Sequence, residues 1–244
     1  MTLPQKYDAP LDAVDAYDRV APTLAGMYAG RKAYFEAIDE LVLTNLRFGA
    51  RSMLDVGCGS GLRAAGIAQK ADISDLVLLE PSSGMRELIA PGHQVWASRI
   101  EGLVDTPRKF DVITCLWNVL GHVNTPDKRA AALRNMRAML TANGLIFLDV
   151  QNRYNAQEYG WLKTAGRRLY DSIRPAATNG DVTIRWESGV ETIVTTGHVF
   201  TRREMLELIR AAALSVQKLV FVNYRTGQQR SSQFAGSMFF VLQA

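Results

Sequence analysis

Hydrophobic and polar positions follow two rhythms along this chain, and the changes between them mark its elements. Over residues 11–46 the large apolar residues Tyr17, Val20, Leu24, Met27, Tyr28, Tyr34, Phe35, Ile38, Leu41 and Val42 recur mostly at helical spacing. Pro22, Gly26 and Gly30 divide that run into two or three helices. Past Ala50 the rhythm changes: Met53, Leu54, Asp55 and Val56 form a short, largely apolar run that ends in glycines, and residues 62–69 return to helical spacing. The exchange then repeats. Residues 76–80, 94–97, 110–117 and 144–150 read as strands, and 82–89 and 125–140 as helices, the latter opening at Thr125 or Asp127. Alternating units of this kind predict a parallel sheet with helices on both faces.

After Asp149 the rhythm fails. Residues 151–172 are polar and aromatic, and residues 182–200 alternate with period two around Ser188 and Gly189, which predicts a hairpin. Thr201 with Glu204 three positions on is a capping box opening a helix over 201–213, and strands at 215–224 and 233–242 follow. The predicted architecture is α/β: a Rossmann-like, seven-stranded, mostly parallel sheet whose last strand is antiparallel. Residues 1–48 form a helical lid, 49–150 the core, 151–200 a substrate cap with its hairpin, and 201–244 the helix and strands that complete the sheet.

Composition narrows the function classes. Of 244 residues, 48% are apolar and 21% charged, enough to bury a core that offsets the entropy of ordering. No apolar run approaches the roughly 18 residues of a membrane span, and the first thirty positions carry acids and prolines where a secretory leader is apolar, so a cytoplasmic protein without a membrane partner is expected. The net charge of +4 is spread out, with no basic stripe interleaved with aromatics, so nucleic acid is not an expected partner. Two cysteines, Cys58 and Cys115, and three scattered histidines fit no metal-ligand spacing, and no metal is expected.

The most informative stretch is Met53-Leu54-Asp55-Val56-Gly57-Cys58-Gly59-Ser60-Gly61, a strand running through glycines into a helix. Glycines there let a ligand approach the backbone, and the helix start offers unpaired N–H donors. The dinucleotide fingerprint needs glycine at position 62, where Leu62 stands, which disfavours a nicotinamide oxidoreductase. Glu80 ends the second strand nineteen residues after Gly61, near the spacing at which such folds set a carboxylate against ribose hydroxyls.

These residues resemble the class I S-adenosylmethionine-dependent methyltransferases. Residues 54–61 are similar to that family's first motif, Glu80-Pro81-Ser82-Ser83-Gly84-Met85 to its acid-Pro-Ser segment, Phe110-Asp111-Val112-Ile113 to its fourth motif, and residues 144–149 to the strand after it. The resemblance is clear over roughly residues 50 to 150. It implies S-adenosyl-L-methionine as cofactor, with Asp55 on the loop or the cofactor's amino group, Gly57, Cys58 and Gly59 along its methionine part, and Glu80 on the ribose. It further implies Pro81, Met85 and Ile100 around the adenine, whose amino group meets Glu101. A helix-start charge is the competing reading of Glu101.

Methyl transfer from a sulfonium disperses charge, so alignment and a dry pocket matter more than acids. After the fourth strand, His122 is the candidate catalytic residue and also a substrate contact, against the alternative of a structural histidine. Trp117 and Asn118 are expected to line the cofactor pocket. Cys115-Leu116-Trp117-Asn118 stands where adenine and glutamine N-methyltransferases carry an Asp/Asn-Pro-Pro-aromatic signature, which disfavours that chemistry. The family often covers its cofactor with a tyrosine-bearing N-terminal helix, which nominates Tyr17, and Arg31 is the candidate partner of the methionine carboxylate, against the alternative of an ordinary exposed helix arginine. Tyr7, Asn152, Tyr154 and Trp161 are the expected substrate contacts. The predicted activity is methylation of a small molecule, at nitrogen of an amino sugar or heterocycle, with a sugar or aromatic hydroxyl as the alternative. The expected assembly is a monomer or homodimer, and a catalytically silent cofactor-binding subunit is the reading from outside enzymology.

Overall fold

The computed structural model describes residues 9–187 and 192–244. Tyr7 and the predicted hairpin turn at Ser188 and Gly189 lie outside the described residues. The first five strands, β1 (Ser52–Val56), β2 (Asp75–Leu79), β3 (Gln94–Trp96), β4 (Phe110–Cys115) and β5 (Leu140–Val150), pair in parallel in the order β3-β2-β1-β4-β5. β6 (Asp181–Glu187) and β7 (Thr192–His198) form a separate antiparallel hairpin. β8 (Ser215–Val222), β9 (Gln229–Arg230) and β10 (Ser237–Gln243) complete the main sheet, with β10 antiparallel between β5 and β8. The main sheet therefore has eight strands among the described residues, one more than the pattern predicts. The addition is β9, a two-residue pairing on the edge of β8, too short to leave a period in sequence.

The helices are α1 (Ala13–Val20), α2 (Leu24–Ala29), α3 (Lys32–Asn45), α4 (Leu62–Lys70), α5 (Ser83–Arg86), α6 (Pro126–Ala138), α7 (Ala156–Tyr159), α8 (Trp161–Ile173) and α9 (Arg202–Ala211). Because successive strand residues point to opposite faces, each strand feeds two cores. Leu54, Ile113, Ile146, Leu148 and Phe240 pack with Leu133 and Met136 of α6 and Met205 and Ile209 of α9. Met53, Val112, Phe147 and Phe239 pack on the other face with Phe35 and Ile38 of α3 and Ile67 of α4. The capping box forms as predicted, with Glu204 N–H donating to Thr201 Oγ1 at 3.1 Å. Thr125, not Asp127, caps α6. Helix α5 is a single turn where 82–89 is predicted helical, since Leu88 and Ile89 close tighter turns onto Met85 and Arg86.

The leading helix α1 is clamped over the carboxyl ends of the strands. Asp18 Oδ1 accepts from Ser82 Oγ at 2.6 Å and from Gly84 N–H at 2.9 Å. Glycine is needed at position 84 because a Cβ there would stand 2.6 Å from the Asp18 carbonyl oxygen. Asp12, the N-cap of α1, pairs with Arg99, and Ala16 and Val20 pack with Ile193 of the hairpin.

Candidate active site

The turn between β1 and α4 is left-handed at its glycines, with φ of 69° at Gly57 and 57° at Gly59. A Cβ on Gly57 would stand 2.6 Å from both Val119 methyl groups, whereas one on Gly59 would meet only Leu24 at 3.8 Å, so Gly59 leaves backbone open to a ligand. Both oxygens of Glu80 hold this turn: Gly59 N–H donates to Oε2 at 2.8 Å and Ser82 N–H to Oε1 at 2.9 Å. Burial pushes Glu80 up to about 7 despite those donors. Asp55, at the end of β1, accepts from Thr114 Oγ1 at 2.5 Å, and burial pushes it up to about 6.

These groups border one cleft whose empty space, open mouth included, is about 1060 Å³. Tyr17, Asp55, Gly57, Cys58, Gly59 and Glu80 line it, as do Pro81, Met85, Ile100, Glu101, Trp117 and His122, all of them nominated by the sequence. Arg99 comes within 4.0 Å of Glu101 and also reaches Asp12, so the wall near Glu101 is tied to α1. Tyr17 Oη and His122 Nε2 lie 3.0 Å apart, the rings edge to face. Burial pushes His122 down to about 4, against a smaller opposing pull from the Thr196 backbone. Burial, then the charge of Glu80, pushes the Tyr17 phenol upward, so both members of the pair are neutral near pH 7.

The backbone beneath this pair is strained. Trp117 has φ of 59°, a region bulky side chains avoid, and Asn118 follows at 61°, which asparagine tolerates. Asp149 holds the bend, accepting from Trp117 N–H at 3.1 Å on its side chain and from Asn118 N–H at 3.0 Å on its carbonyl. Tyr34 Oη donates to the same carboxylate, 2.6 and 2.7 Å from its two oxygens, and Trp117 Nε1 donates to Tyr224 Oη at 2.7 Å.

Several expected contacts stand elsewhere. Asn118 points away from the cleft: it accepts from Gln151 N–H at 2.9 Å and donates to the His198 carbonyl at 3.2 Å, joining the bend to the end of β5 and to β7. Arg31 stacks on Tyr224, 3.8 Å from the ring centre, and does not border the cleft. Asn152 donates to the carbonyls of Gln233 and Gly236 at 2.8 and 3.0 Å, and Tyr154 donates to Asp171 at 2.8 Å, so both serve the scaffold. Trp161 is 67% exposed on α8, beside Phe234.

Arg63 is a cleft residue that the sequence did not single out. It follows the glycines on α4, lines the cleft and is 13% exposed. Its Nε donates to Asp39 Oδ1 at 2.5 Å while its Nη2 is buried without a hydrogen-bond partner. Tyr28 also lines the cleft, 5.2 Å from Trp117 ring to ring, its phenol pushed up to about 12 by burial.

Known methyltransferases resemble this chain in sequence and fold. The chain is 31% identical over 110 residues to the ubiquinone biosynthesis O-methyltransferase of Azoarcus sp. (strain BH72), a match covering 42% of this chain and 45% of that protein. It is 30% identical over 141 residues to the dTDP-4-amino-2,3,4,6-tetradeoxy-D-glucose N,N-dimethyltransferase of Saccharopolyspora spinosa, covering 57% of this chain and 54% of that one. The chain thus spans about half the length of these relatives. The fold superimposes on the CcbJ methyltransferase of Streptomyces caelestis with a TM-score of 0.70, 14% identity and coverage of 96% and 99% of the two chains. The sequence pattern of the family described as "Methyltransferase domain" matches residues 29–219, and the chain belongs to this family of S-adenosylmethionine-dependent enzymes.

Proposed function

We propose that this protein methylates a nitrogen of a small molecule, an amino sugar or a heterocycle, with S-adenosylmethionine as methyl donor. The observation that carries the reading is the neutral Tyr17–His122 pair bordering the same cleft as the open glycine turn and the Glu80 carboxylate. The donor fits the groups present: the exposed backbone at Gly59 admits a ligand, and the unpartnered Arg63 Nη2 suits its carboxylate better than the stacked Arg31. Asp55 holds the donor's ammonium and Glu80 its ribose hydroxyls. Met85 and Ile100 enclose the adenine, with Glu101 at its amino group. Bound there, the donor supplies a methyl group on a positively charged sulfur, which needs an aligned electron pair rather than an acid.

Tyr17 and His122 provide the alignment. With the His122 proton on Nδ1, the phenol donates a hydrogen bond to Nε2 and keeps its proton, and its oxygen accepts the N–H of the incoming amine, turning the nitrogen lone pair toward the methyl group. A ring held near 4 is a weak base. A neutral amine loses no proton before transfer and releases one to water afterwards, whereas an alcohol or phenol needs a base beside it. This favours nitrogen. The O-methyltransferase relative is the ground for the second reading, a sugar or aromatic hydroxyl. Turnover of amine and hydroxyl panels with labelled donor tests the choice: amine products support it, and labelling of hydroxyl compounds alone overturns it. Tight donor binding with no turnover of either panel would favour a silent cofactor-binding subunit.

A further inference from the structure

Helix α8 is amphipathic, and it is seated with its polar side against the protein. Thr164 is its one buried residue. Asp171 is gripped by Arg153, whose Nε and Nη2 donate at 2.6 and 2.9 Å, and Arg167 donates to the Arg153 carbonyl at 3.2 Å. Thr164, Arg167 and Asp171 share one helix face at their three- and four-residue spacing. The opposite face carries Leu162, Leu169 and Ile173, exposed by 92%, 63% and 68%, with Ala165 and Gly166 between them. A surface helix ordinarily buries its apolar stripe against the core. Here no described residue of the chain covers it.

The borders of that face are basic and aromatic. Lys163, Arg168 and Arg174 are exposed, as are Trp161 and Tyr170, while the helix's only acid is the Asp171 held by Arg153. We infer that α8 is an interfacial helix that lays its apolar face into the surface of an anionic lipid bilayer. Charge selects this occupant over a second copy: two α8 helices packed face to face would set cation against cation with no exposed acid on either, whereas acidic headgroups answer each one. Bulky apolar residues bordered by aromatics and cations are the make-up of helices that lie in the headgroup plane. None of the described helices is long and apolar enough to cross a membrane, and surface attachment requires none. The inference is independent of which molecule the cleft methylates.

The test is flotation of the full chain with vesicles of phosphatidylcholine alone and of its equal mixture with phosphatidylglycerol. Binding on the order of tenfold or more tighter to the anionic vesicles, weakening with salt, is expected. The combined variant Leu162→Ser, Leu169→Ser, Ile173→Ser should lose roughly a hundredfold in partitioning. Lys163→Ala and Arg168→Ala should lose about fivefold each. An unchanged melting curve shows that the variants fold. No preference for anionic vesicles, or unaltered partitioning of the combined variant, overturns the proposal. So does a dimer in light scattering that the combined variant converts to monomer.

Discussion

On the proposed reading, replacement of Arg63 separates the cofactor's carboxylate from the rest of its recognition. The side chain is 13% exposed, its Nε is committed to Asp39, and its Nη2 is a buried donor without a partner. A charge-assisted hydrogen bond to the methionine carboxylate from that position contributes about 1.5–3 kcal/mol, so Arg63→Ala should weaken binding of S-adenosylhomocysteine roughly tenfold to 150-fold. Loss of the Asp39 pair disturbs the scaffold as well, and a second ligand isolates that part. 5′-Methylthioadenosine keeps the nucleoside and thioether but lacks the carboxylate. Calorimetric titration of wild type and variant with both ligands should place the loss on S-adenosylhomocysteine alone, with Arg63→Lys intermediate and Arg31→Ala unchanged. Equal losses for both ligands would reduce Arg63 to a scaffold residue, and a selective loss in Arg31→Ala would restore Arg31 to the carboxylate.

Burial raises Glu80 from 4.5 to about 7, so ionising it costs the free protein stability as pH rises through that window, while a cationic donor with a ribose diol favours the ionised form. Donor affinity should therefore fall about tenfold between pH 8 and 6, and Glu80→Gln should leave only the lower fall due to Asp55; a flat wild-type profile would contradict this. With His122 held near 4, kcat/KM for a neutral substrate should show no histidine limb between about pH 6 and 8. Tyr17→Phe should lower kcat roughly tenfold to a hundredfold at unchanged donor affinity, and His122→Asn should retain more activity than His122→Ala. A wild-type limb near 6.5 that vanishes in His122→Asn would make the ring a base. Gly57→Ala combines a left-handed φ with a Cβ 2.6 Å from the Val119 methyl groups, and should cost about 2–5 kcal/mol in urea unfolding, partly restored by Val119→Ala; wild-type stability would refute the overlap.

The central strands β1, β4 and β5 were legible because burial on both faces leaves largely apolar runs there, and the glycine turn because left-handed backbone restricts residue choice. The spacing of Glu80 from that turn flagged a residue that the structure places at the cleft, holding the turn. The residues misplaced or missed depend on partners distant in sequence. Arg63 looks like any early helix cation until α3 brings Asp39 beside it, and Arg31 looks free until Tyr224 arrives from beyond β8 to stack on it. Asn118 sits in the right segment, but its left-handed backbone turns the side chain toward His198 and Gln151. Residues 151–172 read only as polar and aromatic, and it is the structure that shows helix α8 there with its apolar side facing out.

The cleft and its roles depend on one event, the seating of a sulfonium nucleoside across the glycine turn. Isothermal titration of the ligand-free protein with S-adenosylmethionine, S-adenosylhomocysteine and a nicotinamide dinucleotide tests it directly. One-to-one binding of the first two, weakened in Glu80→Gln, and none of the third is the expected result. Heat from the dinucleotide alone, or from none of the three, would contradict it.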